Sequence, residues 1–171
     1  MSGLQNFDPY FRMIPNGISE NTKKELLALA KEPDAFVDNS YKISFFRHPD
    51  KLQKYAPYGV AQLLKITEGD GTIHKDRNRY NEYDGTYMPR KSVINYPLTD
   101  NPADTVWYDD DKNEVARTVY GNHAAILHVG ECYHGVDYNG KEPRIVFQLC
   151  FAEGLNDTWN LWNEELYSLS I

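Results

Sequence analysis

The pattern of apolar and polar positions predicts a mainly β chain with a helix near each end. Short alternating runs recur at intervals of about ten residues, between Gly, Pro, Asn and Asp, which is typical of an antiparallel double-sheet or jelly-roll barrel. Strands are predicted within residues 1–18 and at 41–46, 60–66, 91–98, 105–108, 114–120, 124–129 and 144–151. The capping-box pair Thr22 and Glu25 predicts a helix ending near Pro33, and a second helix is predicted over Asp157–Ile171.

The last predicted strand carries a charge at its start. Alternation places Ile145, Phe147, Leu149 and Phe151 on one face and Arg144, Val146, Gln148 and Cys150 on the other. A guanidinium is expensive to bury without an anionic partner, so the face of Arg144 should look onto a polar or anionic site.

The turn residues Tyr138-Asn139-Gly140 predict that this strand forms a hairpin with the segment that contains His134. A three-residue loop would place His134 directly across from Arg144, whereas a two-residue Asn-Gly turn would place Ile145 there. The sequence leaves both registers open, and we favour the first because it brings an imidazole and a guanidinium together.

Composition narrows the possible functions. A chain of 171 residues is long enough for one domain with a sizeable core, and its net charge of -7 argues against general nucleic-acid binding. The only two cysteines, Cys132 and Cys150, indicate reduced thiols rather than a disulfide framework. No apolar run is long enough for a membrane span, so we expect a cytoplasmic protein without a membrane partner.

The segment from Arg77 to Arg90 is polar, rich in tyrosine and without apolar periodicity, which predicts a long loop. We expect it to act as a lid in which Arg77, Tyr80, Tyr83 and Tyr87 contact substrate and Gly85 provides a flexible point. The alternative is a disordered segment without function, and Arg90 and Lys91 at its end are more commonly solvent-facing than substrate-binding.

His74 and Asp76 are separated by one residue on an extended segment, so their side chains point the same way and can reach one ion. A second imidazole would complete the two-histidine, one-carboxylate set that binds divalent iron and leaves other coordination positions open. His134 is the best candidate, because it lies near the end of a predicted strand.

His74-x-Asp76, His134 and Arg144 together resemble the pattern of the Fe(II)/2-oxoglutarate-dependent oxygenases, most closely the small prolyl-hydroxylase-like and phage-encoded members. The resemblance covers about residues 58–151, including KITEGDGTIHKDRNR and HGVDYNGKEPRIVFQLCF. It implies one domain over 1–171, with support at 1–57, a double-stranded β-helix core at 58–151 and a terminal helix at 152–171. That helix could also form a homodimer contact.

Carried over residue by residue, the resemblance implies that His74, Asp76 and His134 bind Fe(II) and that Arg144 forms a salt bridge to the far carboxylate of 2-oxoglutarate. Many members of the family have Ser or Thr two residues after this arginine, where this chain has Val146. A second hydrogen bond to the cosubstrate must then come from elsewhere, with Asn95 and Tyr96 as candidates beside Val146 in the same subsite.

The function implied by this resemblance is hydroxylation of an unidentified peptide, amino acid or small molecule, with dioxygen consumed and succinate and carbon dioxide released. Two alternatives remain. The first is a cupin-type metalloenzyme that does not use 2-oxoglutarate, and the second is a non-catalytic jelly-roll binding protein in which the histidines only pack.

Overall fold

A computed structural model describes residues 6–38, 43–56, 58–67, 72–80, 85, 87–100, 103–138 and 142–166. The strands are β1 (Asn6–Phe7), β2 (Phe11–Pro15), β3 (Phe36–Asp38), β4 (Ile43–Phe46), β5 (Val60–Ile66), β6 (Arg79–Tyr80), β7 (Tyr87–Met88), β8 (Ser92–Pro97), β9 (Asp104–Tyr108), β10 (Glu114–Arg117), β11 (His123–His128), β12 (Tyr133–Asp137) and β13 (Arg144–Phe151). The helices are α1 (Glu20–Ala30) and α2 (Leu155–Leu161), with a 3-10 helix at Pro49–Tyr55 and a π-helical turn at Trp162–Leu166.

The strands form one large and one small antiparallel sheet. The large sheet has eight strands in the order β1-β2-β11-β8-β13-β5-β4-β3, and the small sheet has three in the order β10-β9-β12. A main-chain bridge between His74 and His134 adds the segment before β6 to the edge of the small sheet. This mainly β, two-sheet arrangement confirms the predicted fold class.

One face of the large sheet is covered by helices. Its alternate positions, such as Leu63, Ile94 and Phe147, pack in one buried cluster with Leu26 of α1 and Leu52 of the 3-10 helix. The same cluster contains Leu155 and Trp162 at the C-terminal end. The helices therefore support the sheet from outside, and the C-terminal helix packs against it as expected; its use as a dimer contact stays a prediction.

The other face of the large sheet is covered by the small sheet. Trp107 of β9 packs in a second buried cluster with Phe11, Val93 and Cys150 of the large sheet. The space between the two sheets also holds buried polar residues, namely Gln62, Asn95, Arg144 and Gln148 of the large sheet and Thr105 of the small sheet. Because such groups are costly to bury unpaired, their partners point to the functional part of the molecule.

The two arms of the predicted closing hairpin do not pair with each other. In β12 His134 pairs with Trp107 of β9, whereas in β13 Arg144 pairs with Ile66 of β5. Strand β13 is bonded to β5 on one side and to β8 on the other, so neither of its edges is available to β12. The prediction that His134 lies directly opposite Arg144 is wrong; Asn139 and Gly140 lie outside the described residues.

Both helices begin earlier than the sequence signals suggested. The cap of α1 is Ser19, whose hydroxyl accepts a hydrogen bond from the Thr22 backbone N–H at 3.1 Å. Helix α2 begins after Gly154, and the Thr158 hydroxyl inside this helix lies 2.6 Å from the Ser92 hydroxyl in the core. The predicted capping box at Thr22 and the predicted start of the second helix at Asp157 are thus corrected.

The polar segment after Asp76 contains a short hairpin rather than a continuous loop. Arg79 pairs with Met88 and Tyr80 pairs with Tyr87. Met88 is fully buried and anchors this hairpin, which the absence of apolar periodicity did not reveal. Residues 81–84 and 86 lie outside the described part of the chain, and the lid role of the segment stays a prediction.

No helix in the described ranges is both long enough and apolar enough to span a membrane.

We predict that Phe147→Ala destabilises the protein by about 3–5 kcal/mol, because Phe147 is fully buried between the large sheet and the helices. Val119→Ala is the control, since Val119 is 64% exposed, and it should change stability by less than about 0.5 kcal/mol. Urea unfolding measures both. Equal shifts of the two midpoints would contradict the assignment of this cluster as the main core.

Candidate functional site

His74, Asp76 and His134 converge at the edge where the segment 72–76 meets β12. His74 and His134 exchange two main-chain hydrogen bonds of 2.9 Å, and Asp76 N donates to Val129 O at 2.8 Å. These backbone bonds bring one donor atom from each side chain within 4.8 Å of the other two. Three such groups are the set expected for a divalent transition metal with open coordination positions.

The ring nitrogens of the two histidines are already oriented. His74 Nδ1 lies 2.6 Å from Thr72 O and His134 Nδ1 lies 3.0 Å from Cys132 O. A carbonyl oxygen can only accept, so both Nδ1 atoms carry protons and both Nε2 atoms face the centre. Each Nε2 lies 3.0 Å from Asp76 Oδ1. A metal at this point would take the place of the contacts between these nitrogens and the carboxylate.

The protonation states follow from the contacts. The hydrogen bond with Asp76 raises the pKa of His74, although burial opposes this shift. Burial alone would raise the pKa of Asp76, but the charge of Arg90 and the hydrogen bonds from His134 and His74 outweigh it and hold that pKa well below its usual range. Asp76 is therefore an anion and a competent metal ligand.

Arg90 holds the second oxygen of Asp76. Its Nε and Nη2 lie 2.7 and 2.6 Å from Asp76 Oδ2, while Oδ1 faces the two imidazoles. Arg90 is buried, and its Nη1 also donates to Gln148 Oε1 at 2.7 Å. The expectation of a solvent-facing Arg90 is corrected, because the guanidinium turns inward to the only carboxylate on the cavity wall among the described residues.

A chain of buried hydrogen bonds continues from Arg90 across the inner face. Gln148 Nε2 donates to Asn95 Oδ1 at 2.6 Å, and Asn95 Nδ2 donates to the Tyr120 hydroxyl at 3.3 Å. Tyr120 lies next to Arg144, whose Cζ is 5.7 Å from the centre of its ring. Polar side chains therefore connect the three metal-binding candidates with Arg144 through the interior of the barrel.

Arg144 is buried with an incomplete set of partners. It is only 2% exposed, and its Nε and Nη2 have no hydrogen-bond partner in the described part of the chain. Burial lowers its pKa, although the nearby Tyr120 and Asp104 oppose this shift. Leaving two donors of a buried cation unsatisfied is costly, and an incoming carboxylate would satisfy both through a bidentate contact. The site thus fits the far carboxylate of 2-oxoglutarate.

The other candidates for cosubstrate binding divide between the two faces of the sheet. Asn95 and Val146 share the inner face with Arg144, and Val146 is buried there without a polar group to offer. Tyr96 points to the opposite face and packs against Phe147, with ring centres 6.2 Å apart, in the core under the helices. The prediction that Tyr96 lines the cosubstrate subsite is wrong, because consecutive residues of a strand face opposite sides and its neighbour Asn95 faces inward.

A cavity of about 780 Å³ opens in front of the three candidate ligands. Its wall includes Arg77, as predicted for a substrate contact, but among the described residues neither Tyr80 nor Tyr87 takes part. Both tyrosines are exposed on the hairpin, at 64% and 55%, and Tyr83 lies outside the described residues. The cavity wall instead contains Phe45, Arg79 and Tyr133, none of which the sequence singled out.

The cysteines have no features of nucleophiles. Burial raises the pKa of Cys132 and raises that of Cys150 to about 11, so both thiols stay protonated near neutral pH. Both are free, as the sequence predicted.

Two polar residues of the site were missed. Arg90 follows a polar loop, and no local signal indicates that its partner lies 14 positions earlier. Tyr120 sits just after β10 in a stretch rich in other polar residues. Its neighbours Asn95 and Thr105 come from separate strands, so only the folded arrangement identifies it.

Comparison with known proteins supports the fold. No protein-family model matches the sequence, and no curated protein matches it. Among solved structures, SnoN, a non-heme alpha-ketoglutarate-dependent epimerase from nogalamycin biosynthesis, is similar with a TM-score of 0.53 and 12% identity over 81% of this chain and 75% of SnoN.

Two further structures show the same likeness. HygX from Streptomyces hygroscopicus, with nickel and 2-oxoglutarate bound, gives a TM-score of 0.50 at 10% identity over 81% of this chain and 80% of HygX. A Pseudomonas putida prolyl-4-hydroxylase gives 0.50 at 10% identity over 81% of this chain and 90% of the hydroxylase. At such identities the likeness establishes the fold, which is the double-stranded β-helix found in 2-oxoglutarate-dependent enzymes.

Proposed function

We propose that this protein is an Fe(II)- and 2-oxoglutarate-dependent dioxygenase that hydroxylates a peptide, an amino acid or another small molecule. One observation carries the proposal: the inner face of the barrel combines three converging metal donors with a buried arginine that has two unpartnered nitrogens. Neither a metal site alone nor a packing role for the histidines accounts for Arg144, so this residue favours the oxygenase over the two alternatives.

The metal would be held by His74, Asp76 and His134. With Fe(II) and 2-oxoglutarate bound, the site would supply oxidative chemistry in which one atom of dioxygen enters succinate, carbon dioxide leaves, and the other atom becomes the hydroxyl of the product. The protein positions the donors: Thr72 O and Cys132 O fix the two imidazoles through Nδ1, so that each Nε2 is directed at the centre.

The far carboxylate of 2-oxoglutarate would bind Arg144 and Tyr120. The Tyr120 hydroxyl already accepts from Asn95, and its other hydrogen-bond contact in the described part of the chain is with the Thr105 hydroxyl at 3.4 Å, a long contact in which either oxygen can donate. Tyr120 can therefore donate to a carboxylate beside Arg144. It takes the role of the missing Ser or Thr, for which Val146 offers no hydroxyl.

Arg90 would act as a positioning residue. By bonding Asp76 Oδ2 through two nitrogens it leaves Oδ1 directed at the two imidazoles. An aspartate held in this way would offer one oxygen to a metal and would leave room there for cosubstrate and dioxygen.

The proposed function is tested by anaerobic titration of the folded protein with Fe(II) and 2-oxoglutarate. We expect a visible metal-to-ligand charge-transfer absorption that requires both components, followed by succinate formation when air is admitted. A folded protein that binds Fe(II) but shows neither the absorption nor succinate would rule out the proposal.

Arg144→Met separates this reaction from that of a metalloenzyme that does not use 2-oxoglutarate. We expect the variant to keep metal binding and lose the charge-transfer absorption, because the long apolar side chain cannot bind a carboxylate. Its free energy of unfolding should stay equal or rise, since a buried unpaired charge is removed. Arg12→Ala, which removes an arginine paired with Asp8 outside the site, should leave the absorption intact.

The role of Arg90 is tested with Arg90→Lys and Arg90→Met, using Co(II) affinity measured from its visible absorption. Lysine keeps the charge but cannot place two nitrogens on Asp76 Oδ2 and a third on Gln148. We expect Co(II) affinity to fall about 10–100-fold in the methionine variant and by a smaller factor in the lysine variant.

The neighbouring Lys91→Met serves as the control for this series, because Lys91 is paired with Glu131 at 3.3 Å on the surface. Its Co(II) affinity should be unchanged. Circular dichroism establishes that each variant is folded. Unaltered affinity in folded Arg90→Met would show that Asp76 needs no support from this arginine.

A further inference from the structure

The wall of the cavity in front of the candidate metal site is strongly cationic. It carries the side chains of Lys75, Arg77, Arg79 and Arg90 against a single carboxylate, Asp76. The chain as a whole has a net charge of -7, so this concentration of positive charge runs against the composition of the molecule. A cavity lined with one sign of charge attracts ligands of the opposite sign.

Arg79 is a partly buried cation of this wall, whereas Lys75 and Arg77 are exposed to solvent. Asp76 is paired with Arg90, whereas Arg79 has no carboxylate partner among the described residues. Its guanidinium lies over the ring of Phe45, with Cζ 3.4 Å from the ring centre. Half-burial and the nearby charge of Arg90 both lower the pKa of Arg79. An anion bound in the cavity would offset both effects.

The stacking on Phe45 also determines how such an anion would bind. One face of the guanidinium is covered by the ring, and the ring fixes the plane of the group. The N–H groups lie in that plane and can present a pair of donors to one oxyanion, as arginine commonly does with carboxylates and phosphates. Lys75 and Arg77 on the same wall add charge without fixing direction.

Bound Fe(II) and 2-oxoglutarate would not remove the excess of positive charge on the cavity wall. The two positive charges of Fe(II) and the two negative charges of 2-oxoglutarate cancel, and the far carboxylate of 2-oxoglutarate is assigned to Arg144 rather than to the cavity wall. The charge around Arg79 is therefore left for the substrate.

We infer that the substrate carries an anionic group, a carboxylate or a phosphate, which binds Arg79 against Phe45 while the C–H bond to be oxidised faces His74 and Asp76. This inference rests on the proposed function and narrows its substrate class to acidic molecules or acidic side chains. A neutral or cationic molecule would leave Arg79 without an anionic partner beside Arg90, so we expect it to bind more weakly.

The test uses the full chain loaded with redox-inert Ni(II) and saturating 2-oxoglutarate, so that the Arg144 subsite is filled before any probe is added. Isothermal titration calorimetry then compares two matched pairs, N-acetylglutamate with N-acetylglutamine and phosphoserine with serine. We expect the acid of at least one pair to bind about tenfold or more tightly than its neutral counterpart. The pair with the larger ratio identifies carboxylate or phosphate as the preferred group.

Three variants test whether Arg79 causes this preference for the acidic probe. Arg79→Gln should abolish the difference between acid and neutral probe, and Arg79→Lys, which keeps the charge without the paired donors, should retain only part of it. Lys91→Gln removes an exposed cation outside the cavity wall and should retain all of it.

Equal binding of acid and neutral probes in both pairs would overturn the inference, and so would a preference that survives in Arg79→Gln. If the proposed function is wrong, the protein will not bind Ni(II) and 2-oxoglutarate in the loading step. That failure is seen before any probe is added, so the two outcomes are distinguishable.

Discussion

The carboxylate of Asp76 is the point on which the rest of the site depends. One of its oxygens lies 3.0 Å from the Nε2 atoms of both His74 and His134, and the other is bonded by Arg90 at 2.6 and 2.7 Å. Three charged or titratable groups on three separate segments, His74, His134 and Arg90, are held around one buried anion. A buried carboxylate without these partners would take up a proton, and the imidazoles would lose their common target.

The division of the large sheet into two unlike faces makes this arrangement possible. On the outer face, residues such as Phe147 and Leu63 pack against helices and supply most of the apolar burial. The inner face is then free to carry Gln148, Asn95 and Arg144, because Gln148 is bonded to Arg90 and to Asn95 on the next strand, and only the guanidinium of Arg144 has nitrogens without a partner among these three residues. Stability and chemistry are thus assigned to opposite sides of the same strands.

Particular residues show how far the sequence alone could go. The alternation of β13 and the HxD spacing depend only on local periodicity, and they correctly placed Arg144 on the inner face and grouped His74 and Asp76 with His134. The hairpin pairing failed because a turn signal reports that the chain reverses, not which strand edges remain open. Arg90 and Tyr120 were missed because their partners come from distant segments.

In the series of hydrogen bonds from Arg90 through Gln148 and Asn95 to Tyr120, each residue donates to the next. Arginine can only donate, so Gln148 must offer its oxygen to Arg90, and its amide nitrogen then faces Asn95, whose own nitrogen faces the Tyr120 hydroxyl. The Tyr120 hydroxyl at the end of this series has only the long contact with Thr105 left, and it can donate its proton beside Arg144. A molecule that ended there would meet the donors of Arg144 and Tyr120, which suit both oxygens of an ionised acid, whereas a primary amide of the same shape would offer one oxygen and set its N–H groups against the remaining donor.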